Sequence, residues 1–436
     1  MPQTTISLPT LPTDTEFEDF VAAHLQAAGF FIEKSVINRE EADVLELDIV
    51  FTGYKADEPP IEKLIEVKSG GWGFTDIFKL SGWGKYLGIS DLHLVVAKAK
   101  DNQDFYKKKS TDIGIDLILH SNNASDIYQS TILQGIAVDQ LDVSSWRFTY
   151  WIEREIQKKL KDKKKSVKDK KSYLCLDDYF YTLNSGIFFS KNVIQRADKL
   201  YGAYKKYPHI TRKVGNELAG GDFDEDYTNI PTAIFNKTFY DCEFTDLTIS
   251  TYIEHRARLA ILKAAVDFSL FAKRGIDDRI KAEIEIFDLT FPLKKFLPNS
   301  FLTGLEEIKK DKFFHLYPVF WQNFLWLFGG FILEDYKEHE YKILSMKTGI
   351  PISEIENALN SYNKLFPVAQ GWFKAGNHNS NITTMNFMPV PFMGVGANYR
   401  KRIYTETNDY DSLNLTGTHT KNNLIRWNNL TVKVLS

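Results

Sequence analysis

Two acids and a lysine, set in two consecutive apolar runs, carry the most legible chemistry of this chain. Leu47-Asp48-Ile49-Val50 is followed, beyond a loop with Gly53, Pro59 and Pro60, by Leu64-Ile65-Glu66-Val67-Lys68-Ser69-Gly70. Residues two apart in a strand point the same way. Glu66 and Lys68 therefore share one face, while Ile65 and Val67 go to the core behind it. Asp48 points opposite to its core neighbours Leu47 and Ile49. If the two strands form a hairpin, both acids reach one metal ion. Hard carboxylate oxygens suit Mg²⁺ or Mn²⁺, which acidify a bound water and polarise a phosphate. Lys68 would orient or deprotonate that water and offset charge in the transition state. The reaction served by such a set is phosphodiester hydrolysis.

Acid-x-Lys by itself is cheap. It recurs at Asp162/Lys164, Glu307/Lys309, Asp335/Lys337 and Glu340/Lys342, in polar or helical stretches where surface charge pairs account for it. Context separates Glu66/Lys68 from these: an apolar strand, an acid in the apolar strand before it, and a glycine-rich exit. Charges in a buried strand are costly unless used or paired. A structural ion pair at a sheet edge is the competing account.

At these residues the chain resembles the PD-(D/E)XK nuclease superfamily, the restriction-endonuclease-like fold of Mrr-type and many phage-defence nucleases. The resemblance covers residues 14–120. It implies that Asp48, Glu66 and Lys68 are the catalytic core, with Asp48 and Glu66 on the metal; Leu47 stands where the name has proline. Thr15-Glu16-Phe17-Glu18, followed by Val21 and Leu25, resembles the family's first helix, whose acid often completes the metal site. That residue is Glu18 here, although Thr15-x-x-Glu18 also reads as a capping box. Asp76-Ile77-Phe78-Lys79-Leu80 is similar to the helix after the active-site strand. Lys79 would touch a phosphate there, or be a solvated helix lysine. The Gln-x-x-x-Tyr signature of exonuclease-like relatives is absent.

The elements that must position these residues are readable in outline. Residues 14–29 predict a helix, capped by Thr13 or Thr15, with Phe17, Val21, Leu25 and Ala28 facing a core and Gly29 beyond its end. Strands are predicted at Phe30–Val36, Leu45–Phe51 and Lys63–Lys68. The turn Gly70-Gly71-Trp72-Gly73, a helix from Asp76 to Leu87, and strands at Leu92–Ala97 and Ile115–Leu119 follow. That order describes an α/β domain, a mixed central sheet flanked by helices, over residues 1–145. Residues 146–172 read as a lysine-rich connecting segment, mostly lysine and aspartate from Lys158 to Lys171. Residues 173–436 read as a mainly helical recognition or regulatory domain, with Thr251–Lys273 closed by Gly275 as its clearest helix. After Gly376 the chain turns polar and irregular and ends in strand-like runs such as Leu430–Leu435. There is no internal repeat.

Composition bounds the class. At 436 residues, two or three domains are expected. Apolar and charged fractions of 43% and 25% are those of a soluble globular chain. A net charge of −3 means that any nucleic-acid-binding surface is local. Two cysteines, Cys175 and Cys242, make no disulfide framework, and Met1-Pro2-Gln3-Thr4-Thr5 shows no signal peptide. A cytoplasmic setting is expected. Phe313–Leu333 is long enough for a bilayer, but its His315, Pro318, Gln322 and Asn323 favour a buried helix of a soluble domain.

Weaker motifs add little. Asp222-x-Asp224-x-Asp226 mimics a calcium loop but has Tyr227 for the glycine and Ala233 for the final glutamate. Residues 338–366 resemble a helix-turn-helix, the second helix capped by Ser353 with Glu356. Its face of Glu354, Glu356, Asn357 and Asn360 suits a structural hairpin better than a DNA groove. The lysine run could meet phosphates or be solvated. The histidines lack zinc spacing, Asn377-His378-Asn379 supports no other nuclease class, and no phosphate-cradling loop is present. The expectation is a metal-dependent endonuclease acting on nucleic acid, DNA favoured, as a restriction or antiphage-defence effector. Its second domain would bind substrate, a partner protein or a trigger, without a membrane, and a homodimer would suit cleavage of both strands. The alternatives are a catalytically silent nuclease-fold module and an RNA-directed nuclease.

Overall fold

The period-2 apolar alternation of the N-terminal third builds one sheet. The computed structural model describes residues 3–9, 12–39, 43–120, 132–133, 136–166, 246–273, 298–366, 372–377, 380–385, 395–396, 398–400, 402–403 and 412–416. Strands β2 (Phe31–Arg39), β3 (Asp43–Gly53), β4 (Ile61–Lys68), β5 (Asp91–Val96) and β6 (Ile115–Leu119) lie side by side in that order. The β2–β3–β4 pairs are antiparallel and the β4–β5–β6 pairs parallel. Parallel neighbours need a crossover, and helices α2 (Phe74–Leu87) and α3 (Gln103–Thr111) supply them. Leu64–Val67 of β4 and Leu92–Val96 of β5 are buried along their length, as central strands covered on both faces must be. The mixed sheet flanked by helices agrees with the expectation from sequence. The sequence reading overlooked β1 (Gln3–Ser7) before the first helix, and also α3.

Helix α1 (Thr15–Ala27) buries Phe17, Val21 and Leu25 at the expected spacing. Gly29, at φ 92°, ends it in the left-handed region open to glycine. Its cap differs from expectation. Asp14 holds the N-cap position at φ 51° and makes no side-chain cap bond; neither Thr13 nor Thr15 is the cap.

His24 of α1 shares the core with Phe20, whose carbonyl meets its Nδ1 at 2.8 Å. Burial pulls its pKa down to about 4, against the Phe20 hydrogen bond. Folded chains thus refuse a proton that unfolded chains accept below about pH 6.5. Stability should fall as pH drops from about 6.5 to 4, by up to about 3 kcal/mol from this group. Urea midpoints at pH 7.5 and 5 would show the loss, and His24→Gln should remove most of it. An unchanged slope in the variant would assign the effect elsewhere.

The segment expected to connect two domains is helix as far as Ser166. Helix α4 (Gln140–Ser166) packs on α1, and its Trp146, Phe148, Tyr150, Ile152 and Ile156 are core residues. Residues 167–172 lie outside the described part. The later chain adds α5 (Asp246–Lys273), α6 (Asn299–Ile308), α7 (Tyr317–Gln322), β7 (Phe331–Leu333), α8 (Lys337–Thr348) and α9 (Ile355–Leu365). Strands β8 (Trp372–Asn377) and β9 (Ser380–Met385) complete a three-stranded antiparallel sheet, β7-β9-β8. A tail irregular from Gly376 onward is therefore corrected, while Leu430–Leu435 falls outside the described residues. β10 (Ser412–Thr416) pairs with β1.

The apolar run Phe313–Leu333 is buried, as expected, but it is not one helix. It passes through a 3₁₀ turn, α7, a π-helical turn at Asn323–Leu327 and β7. Gly329 and Gly330, both near φ +70°, reverse the chain. Among the described residues no helix is long and apolar enough to cross a membrane. The helix pair α8–α9 is a hairpin whose second member buries Ile355, Ala358, Leu359, Tyr362 and Leu365. Its N-cap is Glu354, not Ser353.

α6 crosses α9 at contact distance because Gly304 has no side chain. A Cβ at Gly304 would sit 1.9 Å from the Lys364 carbonyl oxygen. Gly304→Ala should cost at least about 1–3 kcal/mol by forcing these helices apart, read as a lowered denaturation midpoint. An unchanged midpoint would show that the crossing yields freely.

The two parts of the chain are tied by polar contacts at the sheet edge. The Gln322 side chain accepts the Ile32 N–H at 3.0 Å and donates to the Ile32 carbonyl at 2.8 Å, as a neighbouring strand would. Gln26 donates to the same Gln322 oxygen at 2.8 Å. The edge of β2, which pairs with no further strand among the described residues, is thus covered by a helix.

Candidate active site

Strand alternation brings the expected acids together. β3 and β4 form the hairpin, with Ile49 opposite Ile65, so Asp48 and Glu66 are the next residues along facing strands. Asp48 Oδ2 accepts the Val67 N–H at 2.8 Å, which fixes its carboxylate beside β4. Lys68 Nζ lies 2.5 Å from Glu66 Oε1 and 4.0 Å from Asp48 Oδ2. Lys79, reaching over from α2, donates to the same Glu66 oxygen at 3.0 Å and stands 4.0 Å above the Trp83 ring. It is therefore not a lysine held only by solvent.

Glu18 joins this set from α1. With no capping bond at Asp14, Glu18 is not spent on its own helix start. Its pKa is raised, first by burial, and it feels Lys34, Lys68, Glu46 and Glu66. The entry of α1 is pinned to the exit of β4. The Asp14 N–H donates to Ser69 Oγ at 2.8 Å, and Ser69 Oγ donates back to Asp14 Oδ1 at 3.3 Å. The positive φ of Asp14 is a cost of about 1 kcal/mol or more at the joint that sets Glu18 against Lys68.

The carboxylates oppose one another. Burial pushes the Asp48 carboxyl up to about 7, with Glu66 and Glu18 adding to it against the Val67 N–H and Lys68. Glu66 has a fully buried side chain, and its Oε2 has no hydrogen-bond partner among the described residues. Burial draws the Lys68 pKa down, but the hydrogen bond and charge of Glu66, with Asp48 and Asp76, lift it above its usual value. Lys68 is thus an ammonium at neutral pH. In this arrangement it can orient a group or offset charge, but it cannot take the proton of a water.

No family model, curated protein or solved structure matches this chain. The site must therefore be judged on its own chemistry.

Three mutually repelling carboxylates and a buried, unpartnered carboxylate oxygen fit a hard divalent cation with oxygen ligands. Among the described residues, no three Asp, Glu, His or Cys side chains are already drawn up as a cage. The Lys68 ammonium stands against both strand acids instead. Swinging Lys68 outward, where a quarter of its side chain already meets solvent, would free Glu66 and Asp48 for a cation.

Sequence reasoning missed Lys34. This β2 lysine pairs with Asp19 of α1, and burial pulls its pKa down to about 8 while Glu153 and Glu18 oppose the shift. No local signal marked it, since Glu33 and Ser35 flank it and the run Phe31–Val36 is half polar. Ser35, at φ 49°, falls between the paired residues Lys34–Ile49 and Val36–Leu47, which puts it opposite Asp48. Asp222, Asp224, Asp226, Cys175, Cys242 and His378 lie outside the described residues.

Proposed function

We propose that this chain is a metal-dependent endonuclease of the PD-(D/E)XK kind, with DNA the favoured substrate. The observation that carries the reading is the meeting of Asp48 and Glu66 across one hairpin, with Glu18 and Lys68 at the same place. Asp48, Glu66 and Glu18 would hold Mg²⁺ or Mn²⁺. Such an ion, when bound, polarises the phosphate and lowers the pKa of water. Asp48 is oriented for this by the Val67 N–H, and Glu66 by its burial. Lys68 and Lys79, released from Glu66, place positive charge where the phosphate becomes more negative in the transition state. Together they hold the substrate phosphate against the acids.

A role as a restriction or antiphage-defence effector rests on the resemblance of residues 14–120 and stays a proposal about context. So do a partner or trigger for the later helices, a homodimer and a cytoplasmic setting. The silent-module reading draws on one observation: Lys68 and Lys79 both rest on Glu66 as a closed ion cluster. Incubating supercoiled plasmid and single-stranded RNA with the full chain and Mg²⁺ or Mn²⁺ separates these readings. Nicked or linear plasmid, abolished by EDTA, is the expected result. No cleavage of either polymer with either ion would sink the enzyme reading, and cleavage of RNA alone would redirect the substrate.

A further inference from the structure

Beside Glu66 the surface carries aromatic rings that the hydrolytic site does not use. Phe78 on α2 is 62% exposed, Tyr86 on the same helix 45%, and Phe105 on α3 52%. Phe78 and Phe105 belong to one patch. Phe74 stacks on Phe78 with centroids 6.1 Å apart, meets Phe105 edge-on at 6.0 Å, and stacks on Tyr106 at 4.7 Å. Tyr106 in turn packs on Trp72, directly after the glycine-rich exit of β4. Large apolar side chains rarely crowd on a water-facing surface without an occupant.

Charge tells what kind of occupant fits. Lys100 stands about 5 Å from both the Trp72 and Tyr106 rings, and Lys79, next to Phe78 in the chain, reaches Glu66 at 3.0 Å. Between Lys98 and Asp112 there are five lysines against three aspartates, in a chain whose net charge is −3. Lys98, Lys107 and Lys108 are exposed; Lys109 is held by Asp112 at 3.1 Å. A partner surface that is only apolar would not call for this lysine fringe. Rings lying open with lysines around them are what unpaired bases and their phosphates require, since every base has a face to stack. Paired bases in a duplex hide those faces.

We propose that the α2–α3 surface, centred on Phe78 and Phe105, is a stacking platform for unpaired bases, so that the site acts on single-stranded stretches of nucleic acid. The inference rests on the nuclease reading for the cutting but not for the binding. Bases stacked on Phe78 and Phe105 would lead the strand past Lys79 to the acids. Gly70 and Gly71 leave that approach open, since nothing lies within 4 Å of where their side chains would be.

The test is binding without cleavage. Fluorescence anisotropy of labelled oligo-dT, oligo-rU and a duplex of equal length is measured with the full chain in EDTA. Single strands should bind more tightly than duplex. Phe78→Ala and Phe105→Ala should each weaken single-strand binding roughly 5- to 100-fold, while Phe78→Trp retains it. Both residues are exposed, and unchanged melting confirms that the variants fold. Equal affinity for duplex and single strand would overturn the platform, as would alanine variants that bind like the wild type. So would a Phe78→Ala that only splits a dimer, which would make the patch a contact between copies. A chain that binds single strands but cleaves nothing with Mg²⁺ or Mn²⁺ keeps the platform and loses the nuclease. One that cleaves duplex without strand preference does the reverse. The dT and rU arms tell DNA from RNA.

Discussion

Glu66→Gln is expected to cut plasmid cleavage by about 10³-fold or more while the chain stays folded, the size of loss seen when a charge-stabilising group leaves an active site. The substitution keeps shape and removes only the charge. Lys68 and Lys79 are not stranded by it, because their side chains are 26% and 39% exposed and can turn to water. Asp48→Asn should lose a similar factor, with a second signature. It removes a carboxylate that burial and two neighbouring acids disfavour, so the metal-free variant should melt above the wild type. Mg²⁺ should raise the melting temperature of the wild type by mass action and leave both variants unmoved. Lys68→Ala should abolish cleavage while keeping that Mg²⁺ response. Cleavage at the wild-type rate in Glu66→Gln or Asp48→Asn would remove the site from consideration.

The parts of this site legible in the sequence were those fixed by local period. Period two put Glu66 and Lys68 on one face, and the short loop with Pro59 and Pro60 made the hairpin with Asp48 the simplest pairing. Helical spacing placed Glu18 on α1 but could not decide between a cap and a ligand. The structure bears only on the cap: Asp14, with its left-handed backbone, holds the position expected of a threonine. The deprotonating role offered to Lys68 is opposed in this arrangement for an equally non-local reason: the acids assembled around it raise its pKa.

What the sequence hid depends on contacts far apart in the chain. β1 pairs with β10, about four hundred residues later, and neither run shows its partner in its own pattern. In the sequence Gln322 is one of the polar residues that set the run Phe313–Leu333 apart from a membrane span. Its amide completes the hydrogen bonding of β2 at Ile32, a role no local signal marks. The lysine-rich run looked like a connector because its second half is polar. The first half of the same helix, from Trp146 to Ile156, is core. Buried apolar residues from before and after residue 145 belong to one contiguous cluster.

The second large effect is expected far from the acids, at Arg400. Its guanidinium donates to the Phe328 carbonyl at 2.8 Å, to the Phe331 carbonyl at 2.6 Å and to Glu340 Oε2 at 2.9 Å, and its Nε pairs with Glu340 Oε1. Glu340 also accepts the Leu333 N–H at 3.0 Å. Arg400 and Glu340 are essentially without solvent. The two carbonyls flank the Gly329-Gly330 reversal, so Arg400 serves one carbonyl at the end of the π-helical turn and one at the start of β7. Arg400→Met would leave those carbonyls and a buried carboxylate without compensation, and should cost about 3–5 kcal/mol. Glu340→Leu should be comparably harmful, because it strands the guanidinium. The double variant removes both charges at once and should cost less than the sum of the two, since only the carbonyls and the Leu333 N–H remain unserved. Urea midpoints of the four proteins give the coupling directly. Strict additivity would mean that each residue acts through packing alone, Arg400 against the Phe331 ring 4.0 Å beneath it. A cost well below the sum would identify the pair as the clasp that holds the reversal and, through the run leading back to Gln322, the helix seated on the edge of the sheet.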